Sequence, residues 1–256
     1  CRRHVMKPLL LIRPDHNEAD AGALAEVGIA SVTEPLLQIV PVADSGPARA
    51  LAHRLSEVDS LTWLVVTSPR TWKRWRIAVT ELDSVLTEAL ARGLNVATVG
   101  AKTASSLPAA ARDRTIIPSG ISAEDMLGFL LEQTPGTALL PASARARRVL
   151  PDGLTAAGWQ VQQAAIYGTV ARRDVRLPAL DGLGGVVVRS ASAASALANL
   201  VPQPPGDFTV FAVGPVTSGR CRDLGWQPVE ISSTQPGAVA RAIAGHLRAD
   251  GGMLEQ

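Results

Sequence analysis

Three short segments recur in the same order in two parts of the chain, and this ordered recurrence constrains the fold more than any other feature. Val65-Val66-Thr67-Ser68 is answered by Val187-Val188-Arg189-Ser190. Ala97-Thr98-Val99-Gly100-Ala101-Lys102-Thr103 is answered by Phe211-Ala212-Val213-Gly214-Pro215-Val216-Thr217, and Ile116-Ile117-Pro118-Ser119 by Glu230-Ile231-Ser232-Ser233. Each is a buried-strand pattern that ends in small polar residues and runs into a helical one, as parallel α/β units do. A fourth unit, from Leu139-Leu140-Pro141 through Leu154 to Gly158-Trp159-Gln160-Val161, completes the first copy only. Its counterpart stands at the beginning of the chain, in Leu11-Ile12-Arg13-Pro14, Leu24 and Gly28-Ile29-Ala30-Ser31-Val32. The repeat is therefore circularly permuted.

A permuted repeat in 256 residues predicts two similar α/β domains of parallel, flavodoxin-like sheet, the first of them discontinuous. Residues 1–35 with 172–256 form domain 1, and 42–164 form domain 2. Residues 36–41 and 165–171 cross between them and pair as a small two-stranded antiparallel linker. The alternative, two sequential domains split near residue 130, leaves the last half-sheet short of a strand. Strands are expected at residues 9–12, 64–67, 96–99, 115–117, 138–140, 186–188, 209–213 and 229–231. Between them, Leu51, Leu55 and Val58 share one helical face, as do Leu127, Leu130 and Leu131, and Val239, Ile243 and Leu247. Ser122 and Asp125 have capping-box spacing, with Ile121 and Met126 placed as a staple. Pro236 suits the first position of the last helix.

Other classes are excluded by what the sequence lacks. A net charge of +2 gives no basic balance for nucleic acid, and no apolar run approaches the ~20 residues of a membrane span. Two cysteines, Cys1 and Cys221, make no framework and no CxxC, and four scattered histidines make no metal motif. The expectation is a cytoplasmic, cofactor-free protein without an export signal. No G-x-G-x-x-G follows a strand, and Gly100-Ala101-Lys102-Thr103 lacks the first glycine and the Gly-Lys pair of a P-loop. Trp72, Trp75 and Val79, interleaved with Arg70, Lys73, Arg74 and Arg76, read as a helix with its aromatic face inward rather than as an RNA patch.

Ligands of open parallel sheets bind beyond the carboxyl ends of the strands, where helix starts present free N–H groups. The loops expected there are rich in Ser, Thr and Gly, a chemistry suited to carboxylates or phosphates. Ordinary helix capping explains any single Ser or Thr; the recurrence across eight loops points to a ligand.

Arg13-Pro14, Thr67-Ser68, Val99-Gly100-Ala101-Lys102-Thr103-Ala104, Ile166-Tyr167-Gly168-Thr169, Ser190 and Val213-Gly214-Pro215-Val216-Thr217 follow one another in an order that resembles the uroporphyrinogen-III synthase family. Pro69-Arg70 after the first serine, Arg189 before Ser190 and Ser218 depart from that pattern. The resemblance implies a lyase of haem biosynthesis with its ligand in the cleft between two domains. Its substrate would be hydroxymethylbilane, an octacarboxylate linear tetrapyrrole, handed over by hydroxymethylbilane synthase. It implies a monomer with no cofactor, no metal, no nucleic acid and no membrane. Tyr167, the one tyrosine, would face the cleft as an acid for the departing hydroxyl or anchor the crossing strands. Arg13, Lys102, Arg145 and Arg147 would neutralise carboxylates. Ser68, Gly100, Thr103, Ser119, Ser122, Ser190, Gly214 and Thr217 would bind substrate through hydroxyl or backbone N–H. Two rivals remain, a non-catalytic tetrapyrrole-binding sensor and a two-domain small-anion binding protein.

Overall fold

The computed structural model describes residues 6–120 and 122–252. The chain begins β1 (Leu9–Leu11), α1 (Asn17–Glu26), β2 (Ser31–Thr33), β3 (Leu37–Pro41), α2 (Gly46–Arg54) and β4 (Thr62–Val66). It continues through α3 (Pro69–Ala78), α4 (Leu82–Ala91), β5 (Asn95–Thr98), α5 (Ala101–Ala104), α6 (Ala109–Arg112), β6 (Thr115–Ile116) and α7 (Ala123–Leu131). The remainder is β7 (Thr137–Ser143), α8 (Val149–Ala156), β8 (Gln160–Ala171), β9 (Gly185–Val188), α9 (Ala191–Leu200), β10 (Thr209–Val213), α10 (Pro215–Asp223), β11 (Val229–Ile231) and α11 (Pro236–Gly252).

These elements fall into two compact units. Unit 1 is made from Cys1–Gln38 and Val170–Gln256, and unit 2 from Ile39–Thr169. The sheet of unit 1 runs β11-β10-β9-β1-β2, with every neighbouring pair parallel. Unit 2 has β3-β8-β7-β4-β5-β6, and the five strands from β8 to β6 are likewise parallel. Matching β9, β10, β11, β1 and β2 to β4, β5, β6, β7 and β8 gives the same spatial order in both. Counted along the chain, however, unit 1 reads 2-1-3-4-5, the flavodoxin order, whereas unit 2 reads 3-2-1-4-5. The flavodoxin description therefore fits the strand order of unit 1 and not that of unit 2, because the permutation moves the point at which counting starts.

Each sheet is buried on both faces, so its strands read as continuous apolar runs instead of alternating. In unit 2, Leu64 and Val66 of β4 pack with Trp72, Trp75 and Leu86, while Trp63 and Val65 pack with Met126, Leu130 and Leu154. In unit 1, Val186 and Val188 face Ala194, Leu197 and Cys221, while Val187 and Phe211 face Leu24, Ile243 and Ala244. Burial raises the Cys221 thiol to about 11. Trp72 and Trp75 are fully buried, donating to the Asp83 carboxylate and to the Ala48 carbonyl at 3.1 and 2.9 Å. The aromatic face of α3 is thus core.

Some local expectations differ from the structure. β8 runs unbroken for 12 residues, so the segment from residue 165 continues a sheet strand, and β3 is its neighbour in the sheet order. Two helices, α3 and α4, stand between β4 and β5. Pro236 does open α11. Ser122 and Asp125 form the reciprocal capping box, whereas the Ile121 half of the staple lies outside the described residues, as does Cys1. Among the described residues, no helix is long and apolar enough to cross a membrane.

Candidate functional site

The strand order of unit 2 reverses between β4 and β7, and a ligand is expected outside the carboxyl ends of strands at such a switch point. A cavity of about 310 Å³ lies there. It is lined by Val65, Thr67 and Ser68 at the end of β4, Thr71 in the first turn of α3, Ser122 and Ala123 at the start of α7, Leu140 to Ser143 on β7, Arg147, and Gln163 and Tyr167 on β8. Its polar groups converge for local reasons. Ser68 and Ser122 are N-caps, their hydroxyl oxygens accepting from the N–H of Arg70 and of Asp125 at 3.3 and 3.0 Å. This directs the first turns of α3 and α7 at the cavity. The register of β7 against β8 slips at Ala142/Ser143, so that Ser143 pairs with Tyr167 and Ile166 is the extra residue. Bulges of this kind re-aim a side chain. Here the slip sets the side of the sheet that Tyr167 takes, and it leaves Tyr167 buried at the cavity wall.

Arg147 is held at the lining by Glu124, which accepts from both of its terminal nitrogens, one of them at 3.1 Å. The Arg147 guanidinium holds the Glu124 carboxyl below its ordinary range, and the pairing raises Arg147 in turn. Thr71 is fully buried, and its hydroxyl finds no hydrogen-bond partner among the described residues.

Unit 1 has its own switch point, between β1 and β9, and its chemistry is different. The sheet registers pair Leu11 with Val187 and Leu64 with Leu139. Continued toward the carboxyl ends, they set Arg13 beside Arg189 in unit 1 and Ala142 beside Thr67 in unit 2. The two arginines converge on Asp20 of α1, at 3.3 Å from Arg13 and 2.6 Å from Arg189. Asp20 is buried, and Arg189 also donates to the Thr234 carbonyl at 2.8 Å. Desolvation lowers the Arg189 pKa, opposed by the charge of Asp20. Asn17 fixes the turn by accepting from the Arg13 N–H and donating to the Arg13 carbonyl.

Of the residues singled out from sequence, Ser68, Ser122, Tyr167 and Arg147 meet at the unit 2 cavity. Arg13 is tied into the unit 1 ion cluster. Ser190 caps α9 through the Ala193 N–H. Lys102, Ser119 and Arg145 are exposed and do not line the cavity, and Thr103 and Thr217 are buried beside glycine helix starts. Those two glycines are not equivalent. Gly214 has φ +85°, a left-handed backbone that disfavours other residues, whereas Gly100 at 171° is extended. A Cβ at either meets nothing within 4 Å. Sequence reasoning passed over Asp20, Glu124 and the Thr71 hydroxyl. The capping-box spacing at the start of α7 stands beside Glu124 and the Thr67-Ser68 strand end just before Thr71, whereas nothing marks Asp20.

Two units of one spatial strand order, one of them with Ser-capped helix starts around an open switch-point cavity, define a tandem α/β protein. Residues 18–239 match the family described as Uroporphyrinogen-III synthase HemD, and the chain belongs to that family. No curated protein matches the sequence. Among solved structures, the chain is similar to a mutant uroporphyrinogen III synthase from the extremely thermophilic bacterium Thermus thermophilus, with 17% identity and a TM-score of 0.64 over 94% of this chain and 99% of that one. It is also similar to uroporphyrinogen-III synthetase from Helicobacter pylori, with 14% identity and a TM-score of 0.57 over 95% and 100%. At these identities the likeness is one of fold.

Proposed function

We propose that the chain is a lyase that closes hydroxymethylbilane to uroporphyrinogen III, with loss of water and inversion of ring D. The observation that carries this reading is the open switch-point cavity of unit 2, where Tyr167, Arg147 and the capped starts of α3 and α7 converge in a chain of this family. In the proposed reaction, the hydroxyl on the ring A methylene takes a proton and leaves as water, giving an electrophilic azafulvene. Ring D attacks through its substituted carbon to form a spiro intermediate. That intermediate fragments and recloses with ring D inverted, and a ring proton is lost. The bilane closes unaided to the uninverted isomer, so the protein's task is to hold the chain in the geometry that selects the other carbon.

Tyr167 is proposed as the acid for the departing hydroxyl, a phenol being a donor at neutral pH. Ser68, Ser122 and Arg147 are proposed to bind acid arms, with Arg13, Lys102, Arg145, Ser119, Ser190, Thr103, Thr217, Gly100 and Gly214 as further candidates at the strand ends. Residues 1–35 with 172–256, and 42–164, are proposed as domains, with 36–41 and 165–171 as linker strands. Monomeric state, cytoplasmic location and handover from hydroxymethylbilane synthase belong to the same proposal. The test is incubation with freshly generated hydroxymethylbilane and isomer analysis of the product. The type III isomer is expected. Type I alone from folded protein would overturn the enzymatic reading in favour of a tetrapyrrole-binding sensor.

A further inference from the structure

We infer that the unit 2 cavity is a subsite for a single pyrrole ring with its acetate and propionate arms, one carboxylate accepting a hydrogen bond from Thr71 Oγ1; this rests on the synthase reading above. Three observations lead there. The volume of about 310 Å³ lies at the lower end of the roughly 300–1,000 Å³ of ligand pockets, room for one substituted ring and not for four. Val65, Val99, Leu140 and Leu150 contribute apolar wall, which suits a ring and is superfluous for a bare anion. Thr71 supplies a hydroxyl that is fully buried and unpartnered among the described residues. Buried polar groups are rarely left so, and a ligand atom is the natural partner. Thr71 lies in the first turn of α3, where the helix dipole favours an anion. Arg147 offers a second contact once it exchanges Glu124 for an incoming carboxylate.

The experiment titrates the full chain with a monopyrrole carrying one acetate and one propionate arm, followed through backbone amide shifts. Saturable shifts at Thr71, Ala123 and Ser143 are expected. Thr71→Val should weaken binding about tenfold, the worth of a hydrogen bond to a charged group, while its thermal midpoint stays level or rises because an unpaired hydroxyl has been removed. A purely structural threonine would lose stability instead. Absence of shifts at these amides, or equal affinity in Thr71→Val, would overturn the subsite. So would a ring-free dicarboxylate that binds as well as the pyrrole. Conversion of hydroxymethylbilane to type III without monopyrrole binding sinks the subsite and leaves the synthase reading intact. Thr71-dependent binding with type I as the sole product does the reverse.

Discussion

The two switch points of this molecule occupy the same place in the same strand order and have opposite fates. In unit 2, Thr67 and Ala142 leave a cavity; in unit 1, the corresponding Arg189 and Arg13 close on Asp20. Two side-chain positions thus separate an open cavity from an internal ion cluster at switch points of the same spatial strand order. The difference teaches that a strand order offers a site without furnishing one, and that what fills the switch point is decided by residues just past the strand ends. The unit 1 cluster sets one carboxylate against two guanidiniums, so Asp20 is the member whose loss leaves charge uncompensated.

That asymmetry gives the largest expected effect. Asp20→Ala should destabilise the protein by about 3–5 kcal/mol, the usual consequence of removing one partner from a buried ion pair, with Arg13's partial exposure pulling toward the lower figure. Installing the residues of unit 2 as well, by Arg13→Ala and Arg189→Thr, should recover much of the loss, since no unpaired charge remains. Chemical denaturation of the three proteins tests both statements. A silent Asp20→Ala would show that the cluster does not organise unit 1.

The converse exchange follows. Thr67→Arg places a guanidinium in the unit 2 cavity, and formation of the type III isomer should fall by on the order of 10²-fold, as when a substrate is displaced by about an ångström. The corresponding change at an exposed residue outside the cavity and the strand ends, Ser84→Arg on α4, should have little effect on rate. Comparable losses in both would mean that the cavity is not where the reaction is steered.

How far could this contrast be read from the sequence? The permuted order was legible because Val65-Val66 and Val187-Val188 mark central strands buried on both faces. Ser122 and Asp125 gave away the start of α7 because a capping box is a local device. The fate of Arg13 was not legible. Its partner Asp20 sits within a helix, and the second arginine lies 169 residues from that aspartate, so only the folded sheet brings the three together. The placement of Tyr167 depends on a register slip between β7 and β8 that no spacing announces. Lys102 and Arg145 carry charge at the ligand-facing end of the strands and are exposed, without lining the unit 2 cavity. Loop position is set by topology, whereas convergence of side chains is set by packing.

A more modest effect is expected at Tyr167, which has no counterpart in unit 1. Tyr167→Phe should slow turnover by roughly tenfold, below the 10²–10⁴ typical of positioned acids, because the leaving group departs unaided. The isomer formed should remain type III. Single-turnover rates with product analysis measure both. An undiminished rate would assign Tyr167 to packing of the sheet.

The smallest effect concerns the Glu124–Arg147 pair beside the cavity. Both side chains are about half exposed, so the pair is screened and adds little to global stability. Its pH dependence still has a definite sign. Hydrogen bonding from Arg147 holds Glu124 below its ordinary 4.5. A carboxyl depressed on folding contributes fully above its unfolded value and loses that contribution as pH falls through the lower folded value. The pair should therefore be intact at neutral pH and release Arg147 only in acid below 4.5. A side-chain carboxyl titration followed by NMR should place the Glu124 midpoint below 4.5, and Arg147→Ala should raise it toward that value, the Glu124 backbone and Ser122 still lowering it in part. At neutral pH, Glu124→Gln removes the competing carboxylate and should tighten binding of the monopyrrole diacid by about two- to threefold, the scale of one exposed ion pair. Unit 1 offers no such exchange, since its arginines are bound to a buried aspartate. If Glu124 titrates at its ordinary value, or if Glu124→Gln binds no more tightly, Arg147 is a fixed surface charge and the two switch points differ in openness alone.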